Sequence, residues 1–120
     1  MKILVVDDSR AMRRIVARTI GQAGYEGNEI IEAENGSQGL KIAREQNPDL
    51  ILSDWHMPEM TGIEFLQALN TENLDIPFGF VTSENTDQMV EQAAEAGAIF
   101  LLVKPFTTED MAQALGQLVS

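Results

Sequence analysis

The sequence predicts an α/β fold, a five-stranded parallel sheet with five helices spread over both faces. Three observations carry that prediction. Five short apolar runs alternate with five segments of helical spacing, a pattern that calls for a parallel sheet covered on both sides. Turn signals such as Asn35-Gly36, Asn47-Pro48 and Gly97 separate the segments. The residues Asp7, Asp8, Asp54, Thr82 and Lys104 all fall at or just past the ends of apolar runs. Open α/β sheets bind their ligands there, outside the carboxyl ends of the strands.

Lys2 to Val6 reads as the first strand. A helix follows, with Met12, Ile15, Val16, Thr19, Ile20 and Ala23 at the three-and-four spacing of one buried face. Its arginines are expected mainly on the other faces, and Gly21 and Gly24 are expected to end it. Glu29 to Ala33 is the second strand, and Asn35-Gly36 the turn after it. Gln38 to Gln46 forms the second helix, with Leu40, Ile42 and Ala43 toward the core. Asp49 to Ser53 is the third strand. Thr61-Gly62 opens a third helix through Phe65, Leu66 and Leu69. Pro77 precedes the fourth strand, Phe78 to Thr82, and a loop of capping residues leads to the helix Asp87 to Ala96. Ile99 to Val103 is the fifth strand. Lys104-Pro105-Phe106-Thr107 is a turn, and Thr107 or Thr108 caps a last helix with Met111, Ala114, Leu115 and Leu118 inward. A cis Lys104–Pro105 bond would turn the chain sharply, but the sequence does not fix its isomer.

At 120 residues the chain is expected to be one domain, residues 1-120, large enough to fold without staples. It has no cysteine, which excludes disulfides and thiolate chemistry. The apolar start reaches two aspartates within eight residues, too soon for a signal peptide, and no stretch approaches a membrane span. A cytoplasmic protein, not bound to a membrane, is the expectation. The net charge is −11, and it is lopsided. Residues 1 to 44 carry seven basic and six acidic side chains, whereas residues 45 to 120 carry one basic and thirteen acidic. Nucleic-acid binding is not expected of such a surface. A partner for the second half should be basic or apolar.

If the first and third strands are neighbours, Asp7, Asp8 and Asp54 meet at one sheet edge. One such residue suffices to cap a helix, with Asp8 or Ser9 able to do so; a run of them asks for another account. Packed carboxylates raise each other's pKa, and a divalent cation relieves this. Oxygen ligands with no cysteine and a single histidine favour Mg²⁺. Asp54 is then a candidate nucleophile that forms an acyl phosphate. Lys104, the one basic residue after Arg44, is placed to cancel charge on a phosphoryl group. Thr82 can donate its hydroxyl to another phosphoryl oxygen. A ring-nitrogen metal role for His56, the one histidine, is not expected.

Asp7-Asp8, Asp54, Thr82 and Lys104-Pro105, in this order across the whole chain, resemble the receiver domain of two-component response regulators. Met12-Arg13-Arg14-Ile15-Val16, and Asp54-Trp55 with Met57-Pro58 one residue on, are similar to the CheY-like chemotaxis regulators of that family. The resemblance implies the flavodoxin-like strand order 2-1-3-4-5, of which those regulators are the standard example. It implies that Asp54 takes a phosphoryl group from a phosphohistidine. Asp8, Asp54 and the His56 backbone carbonyl would ligate Mg²⁺, with Asp7 acting through a water. Lys104 and Thr82 would contact the phosphoryl oxygens, and Thr82 would move inward as a switch. The implied partners are a sensor histidine kinase or phosphotransfer protein and a downstream protein target, one example being the flagellar motor switch. The target would meet the surface of the fourth helix, fifth strand and fifth helix, and the protein would be a monomer. On this reading it is not an enzyme beyond its own phosphorylation and dephosphorylation. His56 and Glu84 occupy two variable positions that would set the dephosphorylation rate. One departure stands out: the second switch position, usually Tyr or Phe, is Leu101, with Phe100 beside it.

Two other readings compete. A Mg²⁺-dependent phosphatase of the haloacid dehalogenase type also uses an aspartyl nucleophile, but typically after the first strand with a second aspartate two positions on. Here Asp7 is followed by Asp8 and Ser9. A flavodoxin-like nucleotide or flavin binder would want a hydroxyl- and glycine-rich loop where this chain has Asp7-Asp8.

Overall fold

A computed structural model describes residues 1–118. Its elements are β1 (Lys2–Val6), α1 (Arg10–Gln22), β2 (Glu29–Ala33), α2 (Gly36–Gln46), β3 (Leu50–Ser53), α3 (Gly62–Thr71), β4 (Phe78–Thr82), α4 (Asp87–Glu95), β5 (Phe100–Val103) and α5 (Thr108–Gly116). The five strands form one sheet in the order β2-β1-β3-β4-β5. Every pairing is parallel. This is the predicted architecture.

Alternation along the strands sends successive side chains to opposite faces. Ile3, Val5, Leu50, Leu52, Val81 and Leu102 pack with Val16 and Ile20 of α1 and Met111 and Leu115 of α5. Leu4, Val6, Ile51, Phe78 and Phe80 pack on the other side with residues of α2, α3 and α4, including Leu40, Phe65, Leu69 and Met89. The central strands β1, β3 and β4 are apolar on both faces because helices cover both.

The helix starts follow capping chemistry. Ser9, Asn35, Thr61, Thr86 and Thr107 each accept a backbone N–H of the following turn. Ser9 thus takes the cap of α1, which frees Asp8 for other work. Thr107, not Thr108, caps α5. Thr61 and Glu64 complete a reciprocal capping box on α3.

Several boundaries differ from expectation. The second helix begins at Gly36, because Asn35 is its cap and not part of a free turn. Gly21 lies inside α1, and Gly24, at φ +103°, provides the left-handed exit. Asp49 and Ile99 fall outside their strands, and Ala96 and Leu118 lie just past their helices. Ile15 is exposed, not buried; the inward face of α1 runs through Arg13, Val16, Thr19 and Ile20. The Lys104–Pro105 bond is cis. No helix among the described residues is long and apolar enough to cross a membrane.

Candidate functional site

Asp7, Asp54 and Lys104 each stand one step beyond a strand and are pinned there by one more ladder bond. Val6 pairs with Ser53 at the ends of β1 and β3. Asp54 N–H then donates to Val6 O at 2.9 Å, and Asp7 N–H donates to Ala33 O at 3.1 Å. Thr82 pairs with Val103 at the ends of β4 and β5, and Lys104 N–H donates to Thr82 O at 2.8 Å. Parallel pairing therefore delivers Asp7, Asp54 and Lys104 to the same sheet edge.

The side chains converge as the backbone directs. Carboxylate oxygens of Asp7, Asp8 and Asp54 all lie within 4.8 Å of one another. Lys104 Nζ sits 3.2 Å from Asp7 Oδ2 and 3.4 Å from Asp54 Oδ2. The other oxygens are held too: Asp7 Oδ1 accepts Ser9 N–H at 2.9 Å, and Asp54 Oδ1 accepts Trp55 N–H at 2.7 Å. Asp7 is buried, Asp54 is half-buried and Asp8 is exposed. Burial holds the Asp7 carboxyl above its ordinary range. The Ser9 N–H and the Lys104 charge pull it down, Asp54 pushes it up again, and the balance stays upward.

Thr82 is fully buried at the end of β4. Its hydroxyl oxygen accepts Glu84 N–H at a long 3.5 Å. His56 and Glu84, on the loops after β3 and β4, meet at 3.0 Å between Nε2 and Oε1 with both side chains more than half exposed. Leu101 is half-buried and packs on the α2, α3 and α4 side of the sheet. Phe100 faces the opposite side, so its ring cannot stand in for an aromatic group at Leu101.

Arg13 was not anticipated. The arginines of α1 are expected mainly on its outer faces, yet this one is buried. Its Nη1 donates to the backbone oxygen of Asp7 at 2.7 Å and its Nε to Glu32 Oε1 at 2.8 Å. The sequence did contain a signal. Arg13 precedes Val16 by three residues and Ile20 by seven, the inward spacing of a helix.

The donor set fits a hard cation. Three carboxylates supply only oxygen, one of them is raised in pKa by burial despite a neighbouring ammonium, and added positive charge relieves both strains.

Comparison with known proteins agrees with this geometry. Residues 3–116 match the response regulator receiver domain. The chain is 36% identical to chemotaxis protein CheY1 of Helicobacter pylori over 118 residues, covering 96% of this chain and 94% of that protein. It is 38% identical to a probable chemotaxis protein CheY of Rhizobium etli over 117 residues, 96% of this chain and 89% of that one. The solved structure of Vibrio cholerae chemotaxis protein CheY4 superposes with a TM-score of 0.85 at 34% identity, covering 98% and 97% of the two chains. The phosphatase alternative finds no support in these matches. With the fold, the clustered acids and the sequence match in agreement, the chain belongs to the response regulator receiver domain family.

Proposed function

We propose that this protein is a single-domain response regulator, residues 1-120, in which Asp54 accepts a phosphoryl group from a phosphohistidine. The observation that carries this reading is the Lys104 ammonium within 3.4 Å of the Asp54 carboxylate, beside two further aspartates. A carboxylate oxygen of Asp54 attacks phosphorus, forming an O–P bond as the P–N bond of the donor breaks. The imidazole leaves with the electron pair of that bond and takes up a proton.

The chain's own groups prepare this transfer. The Trp55 N–H fixes one oxygen of Asp54. Lys104 supplies positive charge to an incoming phosphoryl oxygen, and Thr82 supplies a hydroxyl at the neighbouring strand end. Asp8, Asp54 and the His56 carbonyl would hold Mg²⁺, with Asp7 behind them. When bound, that ion supplies the charge that lets an anionic donor approach three carboxylates.

The partners in this reading are a histidine kinase or phosphotransfer protein in the cytoplasm and a downstream protein target. The target would meet the surface of α4, β5 and α5. Chemotaxis signalling is the setting suggested by the relatives' names. The protein acts as a monomeric switch, and its only catalysis is on its own phosphoryl group.

Incubation with Mg²⁺ and a small acyl-phosphate donor, followed by intact mass measurement, tests the reading. One added phosphoryl group, absent in Asp54→Asn and absent with EDTA, is the expected result. Addition to Asp54→Asn, or none to the wild type, overturns it.

A further inference from the structure

We propose that Arg13 is a positioning residue for the metal site, acting through the peptide that joins Asp7 to Asp8. The inference rests on the reading above, in that it assumes a cation at these aspartates.

The Asp7 backbone is held at both its N–H and its carbonyl. Its N–H is fixed by β2 through Ala33 O. Its carbonyl accepts the Arg13 guanidinium at 2.7 Å in a buried hydrogen bond. That carbonyl belongs to the same planar peptide unit as the N–H of Asp8. Fixing the oxygen therefore fixes the plane from which the Asp8 side chain departs. Asp8 needs such help. Its carboxylate is exposed, and it makes no hydrogen bond or ion pair among the described residues. Asp7 has side-chain partners in Ser9 and Lys104, so the clamp matters most for its neighbour.

Glu32 completes the device. It takes the Arg13 Nε at 2.8 Å, which leaves the fork of the guanidinium aimed at Asp7 and anchors it on β2, the edge strand. Lysine would keep the charge but lose the rigid planar fork that holds both acceptors in fixed directions.

The sign of the effect separates positioning from plain electrostatics. Removing a cation near three carboxylates should tighten Mg²⁺ binding if charge alone matters. Loss of position should weaken it, by about tenfold or more as for other outer partners of metal ligands. The test is a Mg²⁺ titration of the full chain, followed by Trp55 fluorescence and by calorimetry, with unfolding in EDTA measured separately. Arg13→Met and Arg13→Lys should both bind Mg²⁺ more weakly, and Glu32→Ala should shift in the same direction. Arg18→Met, which removes an exposed arginine of the same helix, should not weaken it.

Tighter or unchanged binding in Arg13→Met and Arg13→Lys overturns the proposal. If neither folds, Glu32→Ala decides: weaker binding supports the clamp, and unchanged binding refutes it. A wild type that binds no Mg²⁺ takes down the phosphoacceptor reading as well. A wild type that binds it, with variants that bind equally, takes down the clamp alone.

Discussion

Gly62 lies so close to Asp54 that a methyl group on it would overlap the Asp54 carbonyl oxygen. The same methyl would stand 3.0 Å from Trp55 Cα and 2.9 Å from a Phe80 ring carbon. Backbone on one side and core on the other leave no easy relief. The first turn of α3 is thus pressed against the strand end that carries Asp54, and Gly62 N–H donates to Trp55 O at 2.7 Å across that contact. Gly62→Ala should destabilise the protein by about 1–3 kcal/mol, the usual range for overpacking. It should also slow phosphoryl uptake at Asp54. Denaturant unfolding and timed mass measurement check the two parts. Wild-type behaviour in both would show that α3 can move away freely.

Asp7 makes the metal-free protein sensitive to pH in a particular direction. Its folded pKa lies above the ordinary 3.8, chiefly through burial. Between the two values the folded state holds a proton that the unfolded state has released. Its stabilising contribution is full below the ordinary value and is lost as pH rises through the folded one. At neutral pH the ionised group therefore weighs against folding. Asp7→Asn in EDTA should unfold at a higher urea concentration than wild type at pH 7. The gap should close as pH falls toward 4. The same variant should gain less stability from added Mg²⁺, because linkage rewards only a site that binds. Urea midpoints across pH, with and without Mg²⁺, are the measurement.

Lys104 should have opposite effects on the metal and on the phosphoryl group. Its ammonium lies 3.2 Å and 3.4 Å from two of the three clustered carboxylates, where it competes with any added cation. Lys104→Met removes the competitor, so Mg²⁺ should bind more tightly. Phosphoryl transfer to Asp54 should nevertheless slow, on the order of 100-fold, as when one charge-stabilising donor is lost from an active site. Fluorescence titration and single-turnover kinetics read the two quantities. A fall in both would mean that Lys104 chiefly shapes the pocket.

What the sequence revealed, and what it hid, follows from the kind of signal each residue leaves. Asp7, Asp54 and Lys104 were legible because each ends an apolar run, and a parallel sheet brings such ends together. The opposite outlooks of Phe100 and Leu101 follow from the two-residue period of a strand. Arg13 was misplaced because charge argued outward while helical spacing argued inward. Spacing prevailed, since the Asp7 carbonyl and Glu32 satisfy the guanidinium. Ile15 was the reverse: an apolar residue next to the buried stripe, turned out by one helical step. The meeting of His56 with Glu84 shows in no periodicity, because they lie on two loops; only the family resemblance pairs the two positions.

That meeting leads to a prediction about lifetime. His56 and Glu84 bridge the loops after β3 and β4 at 3.0 Å, and each is more than half exposed. Such pairs contribute little to stability, about 0–1 kcal/mol. Yet His56 follows Asp54 by two residues, and the bridge joins the loop beside Asp54 to the loop after Thr82. The prediction is that this bridge governs the access of water to a phosphoryl group on Asp54. His56→Ala and Glu84→Ala should each leave the unfolding midpoint nearly unchanged while altering the rate of self-dephosphorylation. If the two act as one bridge, the double variant should match either single one, whereas independent groups would multiply. Loss of the added phosphoryl mass with time, measured for all four proteins, decides. Rates identical to wild type in both single variants would mean that water reaches Asp54 by another route.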